Sequence, residues 1–185
     1  MRGAGDSSPL PGSRGAGVRW TPLAQTEAPT EVTTENQSPS IIGGQSMNKE
    51  ELMKVIPHRN SMLLIDEATK TGETTSEGKK YIRGDEWFLD GHFPGNPVVP
   101  GVILCEMMAQ SSAVIIAEVS AKSTPYFTGI DKAKFRNKVL PGDTFEIQCE
   151  LIKSRGAFYF IKGKGYVDGK LCCSAEFSFA LVERE

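Results

Sequence analysis

The sequence has few residues of the kinds that hold metals or disulfides. It contains two histidines and four cysteines in 185 residues, and no two cysteines have the Cys-x-x-Cys spacing of a zinc site. All four cysteines lie in apolar surroundings, which favours buried, reduced thiols in a reducing compartment. The sequence therefore predicts no metal site, no disulfide framework and no cofactor.

Strong net charge and long apolar runs are also absent. The net charge is −2, so electrostatics give no argument for nucleic acid or a membrane as the main partner. A membrane-spanning helix needs about 20 apolar residues, and the longest candidate, residues 98–119, is interrupted by Glu106, Gln110 and Glu118. The N-terminus has no apolar core of a secretory signal. We expect a soluble, cytoplasmic protein.

Large apolar residues are scarce at the start of the chain. Residues 1–46 are rich in Gly, Ser, Thr, Pro and Glu, and such a segment cannot bury enough surface to offset its ordering entropy. We predict a disordered extension over residues 1–46, native or left by cloning, and a folded domain over residues 47–185. A transit peptide is the alternative, which the arginines of the segment permit and its acidic residues disfavour.

Helix signals mark two places in the folded part. Asn48 and Glu51 have the spacing of a capping box and predict a short helix, which Pro57 ends. Residues 100–120 predict a second helix, apolar on nearly every face. A helix that is apolar all round must be surrounded by other structure, so we expect it to be central and buried.

Strand signals fill the remainder. We predict short strands at residues 62–68 and 79–83, and period-two alternation predicts half-buried strands at 144–151 and 175–181. Asp168-Gly169 lies between two such runs and predicts a hairpin. A long buried helix and an antiparallel sheet long enough to curl around it give an α+β class.

Two residues suggest acid–base chemistry. His92 lies in a loop rich in Gly and Pro, and Glu106 lies in the apolar helix. A carboxyl in an apolar wall has a raised pKa and can donate a proton, whereas a neutral histidine suits a base. The pair would suit β-elimination of water. Taken singly, His92 also fits a loop histidine bonded to backbone, and Glu106 a residue at the rim of a buried helix.

Gly101 adds a third element. Its amide lies in the first helical turn, where donors lack intrahelical partners and the dipole favours negative charge. A thioester carbonyl placed there would be polarised as its α-proton leaves. A glycine chosen for close packing is the alternative, and composition does not separate the two.

The run from His92 to Val102, His-Phe-Pro-x-x-Pro-Val-x-Pro-Gly-Val, followed by Glu106, resembles the 3-hydroxyacyl-acyl carrier protein dehydratases of the FabZ type. Further motifs follow in the family's order at residues 56–59, 63–66, 129–136, 141–143 and 167–170. The resemblance covers about residues 49–182 and implies a hotdog fold, with an antiparallel sheet wrapped around a long central helix. It also implies a homodimer, assembled as a trimer of dimers, in which each site takes its histidine and its acid from different subunits.

The resemblance also assigns roles. His92 would be the base, Glu106 the acid or the holder of a catalytic water, and Gly101 the amide that binds the carbonyl. Tyr126 falls where family members carry a tyrosine that gates the acyl tunnel, although plain packing explains it equally well. His58 matches a position of structural type, outside the chemistry.

The substrate's carrier and acyl chain suggest two surfaces. The helix face with Val102, Met107 and Met108 can contribute to an apolar tunnel. Four cations alternate with other residues and would share one face of a strand, where an acidic acyl carrier protein can dock; they are Lys132, Lys134, Arg136 and Lys138. A charged edge strand that resists aggregation is the alternative.

Other activities remain as alternatives. Gly95-Asn96 resembles the FabA branch, which also isomerises the double bond, but that branch carries Asp where this chain has Glu106. A hotdog thioesterase would not need the paired His and Glu. A lipid-responsive regulator would need a DNA-binding helix-turn-helix, and residues 1–46 show no helical periodicity. Chain-length preference, and supply of phospholipid or of lipid A, stay open.

Overall fold

A computed structural model of the chain describes residues 44–184. The predicted disordered extension therefore lies outside the described residues as far as residue 43. Residues 44–46, the last three of this predicted extension, are described, and Ser46 begins the first strand.

The described residues form one antiparallel sheet of seven strands. The strands are β1 (Ser46–Asn48), β2 (Glu67–Lys70), β3 (Thr75–Tyr81), β4 (Ser123–Phe135), β5 (Thr144–Arg155), β6 (Phe158–Val167) and β7 (Lys170–Glu183). Their order across the sheet is β1-β2-β3-β5-β6-β7-β4. The long strand β4 thus lies at one edge of the sheet, and β1 lies at the other.

The first helix, α1 (Lys49–Val55), begins at the predicted capping box. Oδ1 of Asn48 accepts hydrogen bonds from the amides of Glu50 and Glu51 at 2.9 and 3.1 Å. The side chain of Glu51 in turn accepts from the amide of Asn48 at 2.9 Å. The two interactions satisfy donors that the first helical turn leaves free, so the predicted start of the helix is confirmed.

The predicted second helix is divided into three consecutive pieces. They are α2 (Gly101–Ser112), a 3-10 turn (Ala113–Ile116) and α3 (Ala117–Ser120). Helix α2 packs against β3, β5, β6 and β7. Glycine on the sheet permits the close approach, because a β-carbon at Gly163 would come within 2.8 Å of Sδ of Met108. The sheet and its central helix form the predicted α+β hotdog fold.

The helical run Gly101–Ser120 is long and apolar enough to span a membrane by length and composition alone. Its polar interruptions, Glu106, Gln110 and Glu118, do not by themselves exclude this. More than half of the run, 56%, is buried inside the domain. That burial is typical of the core helix of a soluble protein, so the run is weak evidence for a membrane span.

The hairpin between β6 and β7 forms where Asp168-Gly169 predicts it. Both residues have positive φ, 49° at Asp168 and 73° at Gly169. Positive φ at both central residues is what a type I′ turn requires, and Asp-Gly tolerates it well. This local signal was sufficient to place the hairpin.

The predicted strand at residues 62–68 was mostly wrong. Asn60–Met62 forms a 3-10 turn, and β2 begins only at Glu67. Leu64 and Ile65 are buried as their apolar character demands. The amide of Leu64, however, donates to Oε1 of Gln110 on α2 at 2.9 Å rather than to a neighbouring strand. Strand β3 likewise begins at Thr75, earlier than the predicted residue 79.

The four cysteines are buried and free, as predicted. Burial raises the pKa of each thiol. A thiol that stays protonated is a poor nucleophile, so the cysteines act as small core residues.

Candidate active site

His92 is held in its loop by hydrogen bonds at both its backbone and its ring. Its amide donates to the carbonyl of Leu89 at 3.1 Å, and Nδ1 lies 2.8 Å from the carbonyl oxygen of Val98. A carbonyl only accepts, so Nδ1 carries the proton in the neutral ring. Nε2 then keeps a free lone pair. The half-buried ring is therefore in the tautomer of a general base.

A buried ion pair anchors the start of the loop that carries His92. Nζ of Lys80 on β3 lies 3.6 Å from Oε1 of Glu86, and the two side chains are 5% and 7% exposed. Glu86 also accepts from the amides of Arg83 and Gly84 at 3.0 and 2.9 Å. The pair ties the start of the loop that carries His92 to the sheet.

Glu106 lies on α2 with a side chain that is 18% exposed. Nε2 of His58 donates to its Oε1 at 3.2 Å, and Nε2 of Gln110 donates to the same oxygen at 2.9 Å. Oε2 accepts no hydrogen bond from any described residue. One oxygen is thus held by two donors, and the other is available to water or substrate.

The expected raised pKa of Glu106 was wrong. Burial does raise the pKa of this carboxyl, but the hydrogen bonds from His58 and Gln110 and the charge of His58 outweigh it. The net pKa lies below its ordinary value. The sequence showed the apolar wall around Glu106, but it did not reveal the two donors that stabilise the ionised form.

Gln110 is buried and connects Glu106 to the segment before β2. Besides donating to Glu106, its Nε2 donates to the carbonyl of Met62 at 2.8 Å, and its Oε1 accepts from the amide of Leu64. Every contact of this amide group helps to fix the carboxylate or the loop beside it. Gln110 was missed in the sequence because it reads there only as an interruption in an apolar helix.

A small pocket opens beside the carboxylate. Its volume is about 40 Å³, which is enough for more than one water molecule. Four polar residues and six others line it; they are His58, Glu106, Gln110 and Ser120, with Ile56, Ala109, Ala113, Pro125, Phe127 and Phe179. Nδ1 of His58 and Oγ of Ser120 are buried and have no hydrogen-bond partner among the described residues.

A single chain does not bring His92 and Glu106 together. Within residues 44–184, no hydrogen bond or ion pair joins the two side chains, and His92 is not among the residues that line the pocket beside Glu106. The two side chains thus do not contact each other within the described part of one chain.

Gly101 begins α2, with Pro100 as its N-cap. Among the described residues, no acceptor is found for the amides of Gly101 and Val102, so both donors remain available. A β-carbon at Gly101 would also lie 2.7 Å from Cε1 of Phe135. Both explanations of this glycine, close packing and a free amide, thus have structural support.

The residues expected at an acyl tunnel lie in different environments. Val102 is 70% exposed, whereas Met107 and Met108 are completely buried. The two methionines pack into the core between helix and sheet, so their predicted place in a tunnel was wrong. The expectation that α2 is enclosed on all faces was also wrong, because its Val102 face is open. Tyr126 is exposed on the edge strand β4, opposite Ala180 of β7.

The four predicted docking cations do not share one face of a strand. A register shift interrupts β4 between Asp131 and Lys134, Lys132 has a φ of 50°, and the strand ends at Phe135. Nζ of Lys132 is paired with Glu176 at 2.9 Å. The other three, Lys134, Arg136 and Lys138, are exposed and form no ion pair with a described residue. The bulge could not be read from the alternation of charges.

Metal-binding side chains do not cluster in the described part of the chain. No group of three or more His, Cys, Asp or Glu residues there has the arrangement of a metal site. The polar groups described above are those of His92, Glu106 and His58 and the free amides of α2.

Comparisons with known proteins agree on one family. The FabA-like domain model matches residues 56–176. The FabZ 3-hydroxyacyl-acyl carrier protein dehydratase of Clostridium perfringens is 42% identical over 137 residues, which cover 73% of this chain and 99% of that protein. The FabZ dehydratase of Clostridium beijerinckii is 43% identical over 143 residues, with 73% and 99% of the two chains covered.

A solved structure supports the fold independently. A chain of the dehydratase heterocomplex ApeI:P from Xenorhabdus doucetiae matches with a TM-score of 0.63 at 17% identity. The match covers 72% of this chain and 91% of that one.

Proposed function

This chain belongs to the FabA-like family, and we propose that it dehydrates 3-hydroxyacyl chains carried on acyl carrier protein, as a FabZ-type enzyme of fatty acid biosynthesis. The observation that carries this function is the similarity to FabZ dehydratases over nearly their whole length. The free Nε2 of His92 and the free Oε2 of Glu106 support the acid–base assignment. We also propose that this enzyme is soluble and cytoplasmic.

His92 removes the α-proton. Nε2 takes the proton from the carbon next to the thioester, and the carbonyl of Val98 stabilises the resulting imidazolium through Nδ1–H. The amide of Gly101, at the positive end of α2, donates to the thioester oxygen as negative charge develops there.

Glu106 acts on the leaving hydroxyl. Because the net pKa of Glu106 lies below its ordinary value, the acid acts through the protonated minority of the carboxyl groups. Oε2 of that form donates its proton as the C–O bond breaks, so water leaves and the electrons of the broken C–H bond form the trans-2 double bond. The carboxylate that remains is stabilised at Oε1 by His58 and Gln110. The proton on His92 then returns to Glu106 through water or solvent, which resets both groups.

We propose that each site is shared between two subunits of a homodimer, arranged as a trimer of dimers. The separation of His92 from the Glu106 pocket within one chain supports this. So does β4, an edge strand with large exposed apolar side chains; these are Tyr126, Phe127, Ile130 and Phe135. An edge of this kind favours pairing with another chain.

Two surfaces would handle the substrate. The exposed Lys134, Arg136 and Lys138 form a basic patch for the acidic carrier protein, and Lys132 contributes less because Glu176 already neutralises it. The apolar wall of the Glu106 pocket and the exposed Val102 offer a path for the acyl chain. Tyr126, exposed on β4, would gate that path.

The function is tested with 3-hydroxyacyl-carrier protein of several acyl lengths, with trans-2 and cis-3 enoyl products resolved. We expect trans-2 product from the wild-type protein, and no turnover from His92→Ala or Glu106→Ala with the oligomer still folded. Glu118→Gln, at an exposed position of the same helical run, is the matched control and should stay active. Most of the activity remaining in either alanine variant would refute the residue assignment.

The same assay separates the alternative activities. Formation of cis-3 product would show that the protein also has isomerase activity. Release of free thiol without enoyl product would identify a thioesterase instead.

A further inference from the structure

His58 contacts the catalytic carboxylate although it lies outside the loop that carries His92 and the helix that carries Glu106. Its Nε2 donates to Oε1 of Glu106 at 3.2 Å. Gln110 donates to the same oxygen from one helical turn away. Two donors that converge from different elements on one oxygen fix the carboxylate plane, and they direct the free Oε2 away from both.

The other ring nitrogen of His58, Nδ1, needs a hydrogen-bond partner of its own. When Nε2–H donates to Glu106 in the neutral ring, Nδ1 is an acceptor and needs a donor. Nδ1 is buried without a partner among the described residues, and so is Oγ of Ser120, whose residue is 1% exposed. Both side chains line the same pocket, which has room for water.

We propose that His58 is a positioning residue for Glu106, and that a water molecule bound between Ser120 and Nδ1 of His58 holds the imidazole in the tautomer that donates to the carboxylate. Ser120 connects α3 to the site through this water, so three elements determine where Oε2 points. The inference rests on the proposed role of Glu106 as the acid of the dehydration.

The arrangement has a chemical purpose. When Oε2 protonates the leaving hydroxyl, negative charge appears on the carboxylate, and the donors at Oε1 are already in place to stabilise it. Of the described titratable groups, His58 is the one that hydrogen-bonds to Glu106. The neighbouring thiol of Cys105 is buried with a raised pKa and remains neutral. In the proposed dimer, His92 of the partner subunit would be the remaining titratable group at the site.

The first experiment compares kinetics of His58→Leu, which removes both ring nitrogens, with His58→Gln, whose amide can still donate to Glu106. We expect kcat for dehydration to fall roughly tenfold to a hundredfold in His58→Leu, because the acid is no longer oriented. KM should change little, and His58→Gln should recover most of the loss. Ser120→Ala should fall between wild type and His58→Leu. Ser112→Ala is the matched control, since that buried hydroxyl donates to the carbonyl of Ala109.

The second experiment reads Glu106 without relying on catalysis. In protein labelled with carboxyl-¹³C glutamate, the resonance that is missing in Glu106→Gln is titrated by NMR. We expect the midpoint to rise by about one pH unit or more from wild type to His58→Leu, because the ionised form loses a donor. His58→Gln should give a midpoint near that of wild type.

The outcomes separate the two proposals. A wild-type kcat and an unchanged midpoint in His58→Leu, with Glu106→Gln inactive, would overturn the role of His58 and leave the proposed function intact. An active Glu106→Gln would overturn the acid assignment, while the titration would still report whether His58 acts on the carboxyl. If His58→Leu does not fold, the comparison rests on His58→Gln and Ser120→Ala. The water bridge would be overturned if Ser120→Ala changed neither kcat nor the titration midpoint of Glu106.

Discussion

The ring of Phe135 covers Gly101 so closely that a β-carbon on the glycine would lie 2.7 Å from Cε1. The end of β4 therefore packs against the start of α2, beside the amides proposed to bind the thioester carbonyl. This close packing and the proposed binding of the carbonyl by the Gly101 amide can be separated by mutation.

Gly101→Ala is expected to lower the free energy of unfolding by about 1 kcal/mol, at the low end for overpacking, because the half-exposed Phe135 ring can move aside. The measurement is urea unfolding. Turnover should also be lost in Gly101→Ala, because the new methyl group crowds the proposed carbonyl position. Adding Phe135→Ala should remove the collision between the methyl group and the ring but should not restore turnover. Full recovery of dehydration in the double variant would mean that the glycine serves packing alone.

Mixing two inactive variants tests whether sites are shared between subunits. In a dimer of His92→Ala with Glu106→Ala, one site carries both mutations and the other carries neither. Random assortment should thus restore about a quarter of the wild-type activity if the dimer is symmetric. Co-expressed chains with different affinity tags allow the mixed oligomer to be purified and assayed. Purified mixed oligomers without activity would place both groups in one subunit.

Charge reversal tests the basic patch. Changing Lys134, Arg136 and Lys138 to Glu should lower kcat/KM for carrier-bound substrate about tenfold or more, because attraction to an acidic partner raises the association rate. A small thioester mimic should react at nearly the wild-type rate. Lys132→Gln should have a smaller effect, and Lys164→Glu on the exposed face of β6 is the control. Equal slowing on both substrates would exclude a docking role.

The buried pair of Lys80 and Glu86 should matter for stability. Lys80→Met leaves Glu86 without its cation and also removes the contact of Lys80 with Asp66 at 3.4 Å. The change should cost about 3–5 kcal/mol of unfolding free energy, measured by urea titration at neutral pH. Adding Glu86→Gln should recover part of that loss, because the uncompensated charge is gone. Identical stability of the single and double variants would contradict this coupling.

The pH dependence of the Lys80→Met effect has a definite sign. Burial raises the pKa of Glu86, but amide hydrogen bonds and Lys80 outweigh it and the net pKa is lowered. A lowered carboxyl pKa gives stability that is present above the ordinary value and is lost as pH falls through the folded value. The stability gap between wild type and Lys80→Met should therefore narrow in acid. A gap that widens as pH falls would show that the pair is not what the mutation removes.

Local signals carried the successful predictions. The capping box of Asn48 and Glu51 and the Asp168-Gly169 turn each depend on neighbours within three residues, so the sequence contains everything they need. The apolar run after Pro100 likewise sufficed to place the central helix.

Contacts between distant residues account for the failures. Leu64 finds its acceptor on Gln110, and Glu106 finds a donor in His58, partners that lie 46 and 48 positions apart in the chain. The sequence did not reveal these donors, which lower the pKa of Glu106 where it was expected to be raised. One general signal was available: a glutamate in an apolar helix is almost never buried without a partner, and His58 is one of only two histidines. The bulge at Lys132 had no comparable signal.

The position of β4 at the edge of the sheet has a consequence for the newly made chain. A newly made chain presents the outer backbone of a thirteen-residue strand, and no strand within residues 44–184 pairs with it. While that edge is exposed, an extended segment of any other polypeptide can form hydrogen bonds with its free backbone groups. In the proposed dimer that β4 would help to form, the yield of active protein in the cell should therefore depend on how fast copies meet.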